Sequence, residues 1–121
     1  MKLLTKEIED KLRANYRIHK SQEASGQEVS FPPVVKLFNP VGVGTWYLSE
    51  LDDQDIAFGL CDLGYPEWGY VDLNELKSLK LSFGLGIERD IHWEAKVDDM
   101  GSEFSEAVKK IWPIGDSRCE T

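Results

Sequence analysis

Short strand-like segments separated by turn signals fill residues 34 to 71, and this pattern constrains the fold most strongly. The segments cover residues 34–38, 45–51, 56–62 and 68–71, and Gly, Pro, Asn and Asp are concentrated between them. A last strand is predicted over residues 87–94. The sequence therefore predicts an α+β fold with a mainly antiparallel sheet of about five strands.

Three helices are predicted around this sheet. The first covers residues 5 to about 18, with Thr5 as its N-cap. Its apolar stripe recurs at every fourth residue: Leu4, Ile8, Leu12 and Tyr16. The polar composition of residues 19–30 predicts a loop, after which Pro32 and Pro33 hold the chain extended.

The other two helices lie beyond the strand-rich region. Asp72 and Glu75 form a capping pair for a short helix over residues 73 to about 79. Ser102 and Pro113 bound a C-terminal helix over residues 102–112. Residues 1–98 are therefore expected to form a single α+β domain, and residues 99–121 a C-terminal helix and tail that pack on it or extend it.

The composition is that of an ordinary soluble protein, with 41% hydrophobic and 30% charged residues. No apolar stretch approaches a membrane span, and the N-terminus becomes acidic too early for a signal peptide, so a cytoplasmic location without a membrane partner is expected. Cys61 and Cys119 lack the spacing of a disulfide framework or zinc site. Cys61 is predicted to be a buried thiol, and a His–Cys catalytic pair has no local signature. No cofactor is predicted.

The stretch from Leu37 to Leu76 contains eight acidic residues and no Lys or Arg. It accounts for the formal net charge of -8, because the 14 acidic residues elsewhere balance the 14 basic ones. A segment both acidic and aromatic repels nucleic acid and favours contact with a basic protein. The candidate partner-binding surface consists of Trp46, Glu50, Asp52, Asp53, Asp55, Tyr65 and Trp68.

Other interpretations of this stretch stay open. Its aromatic residues, including Tyr47 and Tyr70, can fill the core of a small sheet, and an acidic loop can simply be solvated. An extreme form of partner binding is mimicry of the DNA backbone, for which a charge of -8 over 121 residues is moderate. Direct nucleic-acid binding is not expected, because the N-terminal basic residues alternate with acids: Lys2, Lys6, Lys11, Arg13, Arg17 and Lys20.

The segment from Glu88 to Glu94 is the strongest candidate for chemistry. On a strand, Glu88, Asp90 and His92 point to one face. Two carboxylates and an imidazole could bind a divalent cation or act as acid and base. A solvated sheet face explains the same alternation of charged residues.

The opposite face of that predicted strand carries Arg89 among apolar residues. A buried guanidinium needs a carboxylate partner, and Asp62 and Asp72 are the candidates for a structural ion pair. Gly84 and Gly86 do not indicate a nucleotide-binding turn, because the third glycine and the βαβ context are absent from the sequence pattern.

Short motifs run through most of the chain: Leu3-Leu4-Thr5-Lys6-Glu7-Ile8, Val34-Val35-Lys36-Leu37-Phe38, Thr45-Trp46-Tyr47 with Glu50, Phe58-Gly59-Leu60 with Asp62, Gly69-Tyr70 with Glu75-Leu76, and Gly86-Ile87-Glu88-Arg89-Asp90-Ile91-His92-Trp93. Over about residues 2–94 they resemble the bacterial family called domain of unknown function 2958. The resemblance implies no established reaction, cofactor or catalytic residue. It implies relatives that are often encoded on plasmids, integrative elements and phages, and it makes the part after Asp98 look like an addition.

Two hypotheses follow for the function. The first is a cytoplasmic, non-enzymatic interaction or accessory factor of a mobile genetic element, which counteracts a host defence or acts on transfer machinery. Its partner is a basic protein encoded by the host or the element. The alternative is an enzyme, or a protein that binds a metal or small ligand, using the face of Glu88, Asp90 and His92.

Overall fold

A computed structural model describes residues 3–27 and 31–93 of the protein. The elements follow in the order α1 Lys6–Ala24, β1 Val35–Phe38, β2 Thr45–Leu51, β3 Ile56–Asp62, β4 Pro66–Asp72, α2 Leu73–Ser78 and β5 Glu88–Arg89. The five strands form an antiparallel sheet in the order β4-β3-β2-β1-β5. The predicted antiparallel sheet, N-terminal helix and short internal helix are therefore confirmed.

The core lies between α1 and one face of the sheet. Leu12 on α1 is fully buried, and Ile8 packs against the same apolar cluster, as the predicted stripe requires. α1 crosses β2, where the Asn15 side-chain amide donates a buried hydrogen bond of 3.0 Å to the Ser49 carbonyl. The buried cluster also includes residues from the segment before α1, from β1, β2 and β3, and from α2: Leu3, Leu4, Val35, Leu37, Trp46, Leu48, Leu51, Ala57, Leu73 and Leu76.

α1 is longer than the sequence pattern predicted. The helix continues to Ala24, so the prediction of a loop from residue 19 is wrong for its first six residues. No Gly or Pro interrupts the chain until Gly26, and the polar residues that suggested a loop lie mostly on the solvent side of the helix. Gly26, with φ of 80°, ends the helix in the left-handed conformation that glycine adopts readily.

A β-bulge interrupts the pairing of β2 with β3 between Leu48 and Glu50. Leu48 pairs with Gly59, and Ser49 is the extra residue. Gly59 is required here, because an added Cβ would lie 2.8 Å from the Leu48 Cα and would press on the Tyr47 carbonyl oxygen. Beyond the bulge, Ser49 and Glu50 are buried polar residues beside α1.

The last strand is much shorter than predicted. β5 contains Glu88 and Arg89, and the Asp90 backbone N–H still donates to the Lys36 carbonyl at 3.0 Å. The chain then turns, as the His92 backbone N–H donates to Asp90 Oδ1 at 3.0 Å. The prediction of a strand over residues 87–94 is therefore wrong, because the Asp90 side chain stabilises a turn at that position.

α2 begins where the sequence pattern placed it. The Asp72 side chain accepts from the Asn74 backbone N–H at 2.9 Å, as an N-cap does, and the helix ends at Ser78. The predicted C-terminal helix over residues 102–112 lies outside the described residues, and so does Glu94. Within the part of the chain that the structure describes, no helix has the length and apolar character to span a membrane.

Candidate interaction surface

The turn that joins β2 to β3, residues 52–55, is organised by its own acidic side chains. Asp52 Oδ1 accepts backbone N–H groups from Gln54 at 2.8 Å and Ile56 at 2.9 Å. Asp55 adopts φ of 62°, a left-handed conformation that aspartate tolerates better than most residues. Two of the three acids therefore have internal roles in the turn, and Asp53 is exposed.

Arg13 of α1 attaches this turn to the helix. Its guanidinium donates to the Asp52 carbonyl at 2.6 Å and to Asp55 Oδ1 at 2.6 Å, and its Nε donates to Glu9 at 3.2 Å. The Asn74 side chain donates a further hydrogen bond to Asp55 at 3.2 Å. The hydrogen bond from Arg13, followed by that from Asn74, lowers the pKa of the Asp55 carboxyl, and the Asp55 hydrogen bond raises the pKa of Arg13.

A second charged contact joins α1 to β2 just before the turn. The His19 Nδ1–H donates to Glu50, with both carboxylate oxygens 2.9 Å away, and Glu50 is almost fully buried. The other ring nitrogen, Nε2, lies 3.6 Å from a Glu23 carboxylate oxygen. The imidazole thus connects the helix to the sheet through its contact with Glu50.

Burial and the histidine act in opposite directions on Glu50. Burial raises the pKa of its carboxyl, and the hydrogen bond and positive charge of His19 partly offset that increase. Sequence reasoning missed His19 because it ended α1 at about residue 18, six residues before the end of the helix at Ala24. The signal that could have found it is the spacing of Asn15, His19 and Glu23, which places all three on one side of a longer helix.

The aromatic residues of β2 lie in the interior. Trp46 belongs to the buried cluster, and Tyr47 is buried with its ring centroid 5.9 Å from that of Trp93. The core interpretation is therefore correct for this part of the acidic stretch. Trp46 and Glu50 were predicted to belong to a partner-binding surface, but both are buried because β2 is the central strand under α1.

Two exposed tyrosines lie on the hairpin formed by β3 and β4. Tyr65 in its turn is 62% exposed and Tyr70 on β4 is 76% exposed. Phe58 supports the strand residues, with ring centroids 6.1 Å from Trp68 and 5.1 Å from Tyr70. We call the following set the hairpin surface: Leu63, Tyr65, Glu67, Trp68 and Tyr70.

The turn of the hairpin, with Leu63 and Tyr65, and the acidic turn are not one patch. They lie at opposite ends of β3, whose seven residues span roughly 23 Å, and β4 then runs back so that Tyr70 pairs with Phe58. The turn is attached to α1 through Arg13, whereas no ion pair joins Glu67 to a basic side chain within the described residues. Of the predicted surface, the structure places Tyr65 in the turn of the hairpin and the half-buried Trp68 on β4, whereas Asp52, Asp53 and Asp55 lie in the turn at the other end of β3.

The candidate chemical groups near β5 do not converge. Asp90 forms an ion pair with Lys36 at 3.6 Å, and His92 follows it in an exposed turn. Glu88 lies on β5 opposite Phe38 and faces an open groove of about 1010 Å³. Within residues 3–27 and 31–93, no three His, Cys, Asp or Glu side chains form a cluster that could hold a metal ion.

That groove has a mixed lining. It runs between the start of α1, α2 and β5, and its described charged residues are Lys6, Glu9, Lys77 and Glu88. Two positive and two negative side chains give it no dominant charge for a small ionic ligand. Neither Asp90 nor His92 is among the described lining residues.

Arg89 contacts the N-terminal segment. Its guanidinium donates to the Leu3 carbonyl at 2.9 Å. The sheet order places β1 and β2 between β5 and β3, so Asp62 and Asp72 lie at least roughly 14 Å away across the sheet, beyond the reach of Arg89. The structure therefore replaces the expected ion pair with a hydrogen bond to the backbone.

Cys61 is not prepared for nucleophilic chemistry. Its side chain is half-buried against the core, and burial raises the pKa of the thiol to about 11. A thiol with this pKa stays protonated at neutral pH, and a protonated thiol is a poor nucleophile. The interpretation of Cys61 as a structural residue agrees with this environment.

Comparison with known proteins identifies the family. Residues 3–110 match the family described as Protein of unknown function (DUF2958). The chain belongs to this family. The DUF2958 match extends past residue 98, so the segment up to residue 110 is part of the family. The sequence motifs had suggested that this segment is an addition, and that suggestion is wrong. No curated protein and no solved structure matches the chain.

The motif of residues 86–93 serves the packing of the sheet in this structure. Arg89 holds the N-terminal segment, Asp90 pairs with Lys36, and Trp93 packs on the Tyr47 ring. Each of these contacts attaches β5 and the following turn to neighbouring elements. The motif thus has a structural explanation that does not require a reaction.

Proposed function

We propose that this protein is a non-enzymatic protein-interaction factor that binds a basic partner protein through the hairpin surface. The observation that carries the proposal is the exposure of Tyr65 and Tyr70, at 62% and 76%, on a hairpin without Lys or Arg. Tyrosine supplies a large contact area and a polar tip at low cost in conformational entropy, and it is enriched in protein interfaces.

The charge of the hairpin as a whole favours a basic partner. Glu67 is exposed at the start of β4, and the chain carries a net charge of -8. Such a field accelerates encounter with a positively charged surface and repels nucleic acid. Binding is therefore expected to weaken as salt rises, because the exposed charges are screened over about 10 Å at 0.1 M ionic strength.

The family resemblance supports a proposal for the cellular setting. We place the protein in the cytoplasm as an accessory factor of a mobile genetic element, where it counteracts a host defence by binding one of its basic proteins. The acidic exposed hairpin supports this role, since many nucleic-acid-binding factors present basic surfaces. Direct contact with nucleic acid or membrane is not part of the proposal.

The test is affinity capture from host lysate with matched variants. Removing both rings in Tyr65→Ser/Tyr70→Ser should reduce the recovered basic partner at least tenfold while the thermal unfolding temperature stays close to that of the wild type. Phe83→Ser is the control, because Phe83 is 91% exposed and lies outside the hairpin. Equal recovery by the double variant, or equal loss by Phe83→Ser, would contradict the proposal.

The acidic turn needs a separate variant. Reversing Asp52, Asp53 and Asp55 together to lysine would also remove the Arg13 and backbone contacts of the turn. Loss of binding in that variant would therefore report unfolding as much as charge. Asp53→Lys changes the exposed acid alone, and it should leave partner recovery within twofold of the wild type.

A further inference from the structure

β4 is an open edge of the sheet within the described chain. It contains seven residues, as many as β3, and it pairs with β3 over its full length from Pro66 to Asp72. Its other side has no neighbouring strand in the described sheet order. An edge strand of this kind presents a row of backbone N–H and C=O groups that can pair with another extended segment.

Two of the features that protect sheet edges are missing from β4. It has no lysine, and the bulge of the sheet lies between β2 and β3. Its proline, Pro66, stands at the first position and leaves the rest of the strand able to pair. The opposite described edge, β5, is protected by its length of two residues.

The side chains of β4 divide into two rows. Trp68 and Tyr70 both contact Phe58 and form an aromatic row on one face. Glu67 and Gly69 point to the other face, because neighbouring residues of a strand alternate. Beside Gly69 there is open space, since an added Cβ would meet no atom within 4 Å.

Building on the proposed function, we propose that the basic partner binds by adding an extended segment to the free edge of β4. Backbone hydrogen bonds to β4 supply affinity, and the two rows of side chains select the sequence of the added strand. A segment that alternates apolar with basic residues places its apolar side chains beside Trp68 and Tyr70. It then places its basic side chains on the face of Glu67.

A second copy of this chain is a poorer occupant. Pairing of two β4 strands would bring together two stretches that contain acids and no Lys or Arg, in molecules that each carry a net charge of -8. Like charges in neighbouring strands are destabilising. Charge complementarity therefore favours a basic segment from another protein.

Amide hydrogen exchange with a synthetic peptide tests this mode of binding. The probe is a seven-residue peptide that alternates lysine with valine, matched in length to β4. Its control alternates glutamate with valine. Addition of the lysine peptide should slow exchange at least tenfold at every second amide of β4, and β5 should be unchanged. The glutamate peptide should leave β4 unchanged.

The outcomes separate this proposal from the proposed function. Slowed exchange at alternate β4 amides supports strand addition. Binding of the lysine peptide without that alternation, equal effects of both peptides, absence of binding, or a dimer in sedimentation would each overturn it. The proposed function is tested independently, because loss of partner capture in Tyr65→Ser/Tyr70→Ser is expected for contact through the tyrosine rings whatever the backbone does.

Discussion

The acidic turn at residues 52–55 and the hairpin surface come from the same stretch without Lys or Arg, but their polar groups have different partners. In the turn, Asp52 and Asp55 bond to the backbone and to Arg13. On the hairpin, Tyr65 and Tyr70 are exposed to solvent. The difference arises because α1 crosses β2 and brings its basic side chains to one end of the sheet. Acidic residues are available to bind a partner only where no other group of the same chain pairs with them.

The largest expected effect on stability concerns the β-bulge between β2 and β3. Gly59→Ala should lower the free energy of unfolding by about 3 kcal/mol, because the new Cβ would lie 2.8 Å from the Leu48 Cα. Gly69→Ala on β4 is the matched control, with no atom within 4 Å of its added Cβ. It should change stability by less than about 0.5 kcal/mol. Urea denaturation of both variants measures the contrast, and equal losses would show that the close approach of Leu48 to Gly59 does not determine the cost.

The next largest effect concerns the His19–Glu50 contact. His19→Ala should cost about 2 kcal/mol at pH 7, because it leaves the buried Glu50 carboxylate without its partner. Glu50→Gln in the same background should recover part of this loss, since it removes the buried charge. Chemical denaturation of the three proteins provides the measurement. A double variant less stable than His19→Ala would argue against a charge penalty at this site.

The pH dependence of the stability of His19→Ala follows from the raised pKa of Glu50. A carboxyl whose pKa is raised by folding stabilises the fold most below the ordinary pKa of glutamate, about 4.3, and this contribution is lost as pH rises through the folded-state pKa. Without His19 the pKa of Glu50 should rise further. The deficit of His19→Ala should therefore shrink between pH 7 and pH 4.5, and a constant deficit would contradict the burial of an ionised Glu50.

The smallest effect concerns the salt bridge of the acidic turn. Arg13→Gln should cost about 1 kcal/mol at pH 7, because water partly screens the contact with Asp55. The lowered pKa of Asp55 means that its contribution is present above the ordinary aspartate pKa, about 3.9, and is lost as pH falls through the folded-state pKa. Acid titration should therefore give a smaller loss of stability in Arg13→Gln than in wild type. Arg17→Gln, an exposed arginine on the same helix, is the control and should behave as wild type.

Local patterns were sufficient to predict most of the sheet. Turn residues and alternation located β1 to β3 within a residue, and Asp72 marked the start of α2. The same patterns failed where a side chain or a tertiary contact determines the residue at which a helix or strand ends. α1 continues through a polar segment because His19 contacts the sheet, and β5 ends early because Asp90 stabilises a turn.

The candidate surface was predicted only in part for a similar reason. Its acids and aromatics were identified correctly as residue types, but exposure depends on contacts between distant positions. Arg13 reaches Asp55 across 42 positions, and no local pattern contains that pairing. Tyr65 and Trp68 lie on the same hairpin because only two residues separate them in sequence, whereas Trp46 and Glu50 are buried by a helix from the other end of the chain.

The hydrogen bond from Arg89 to the Leu3 carbonyl spans 86 positions and affects the order in which the chain can be completed. During synthesis, the residues near Leu3 leave the ribosome long before Arg89 does. Hairpins β1–β2, β2–β3 and β3–β4 need only local closure, whereas β5 must return to β1 from a distance, and such non-local contacts form slowly. β5 therefore pairs with β1 late in the synthesis of the chain. Until then, the segment before α1 lacks its hydrogen bond to the last strand.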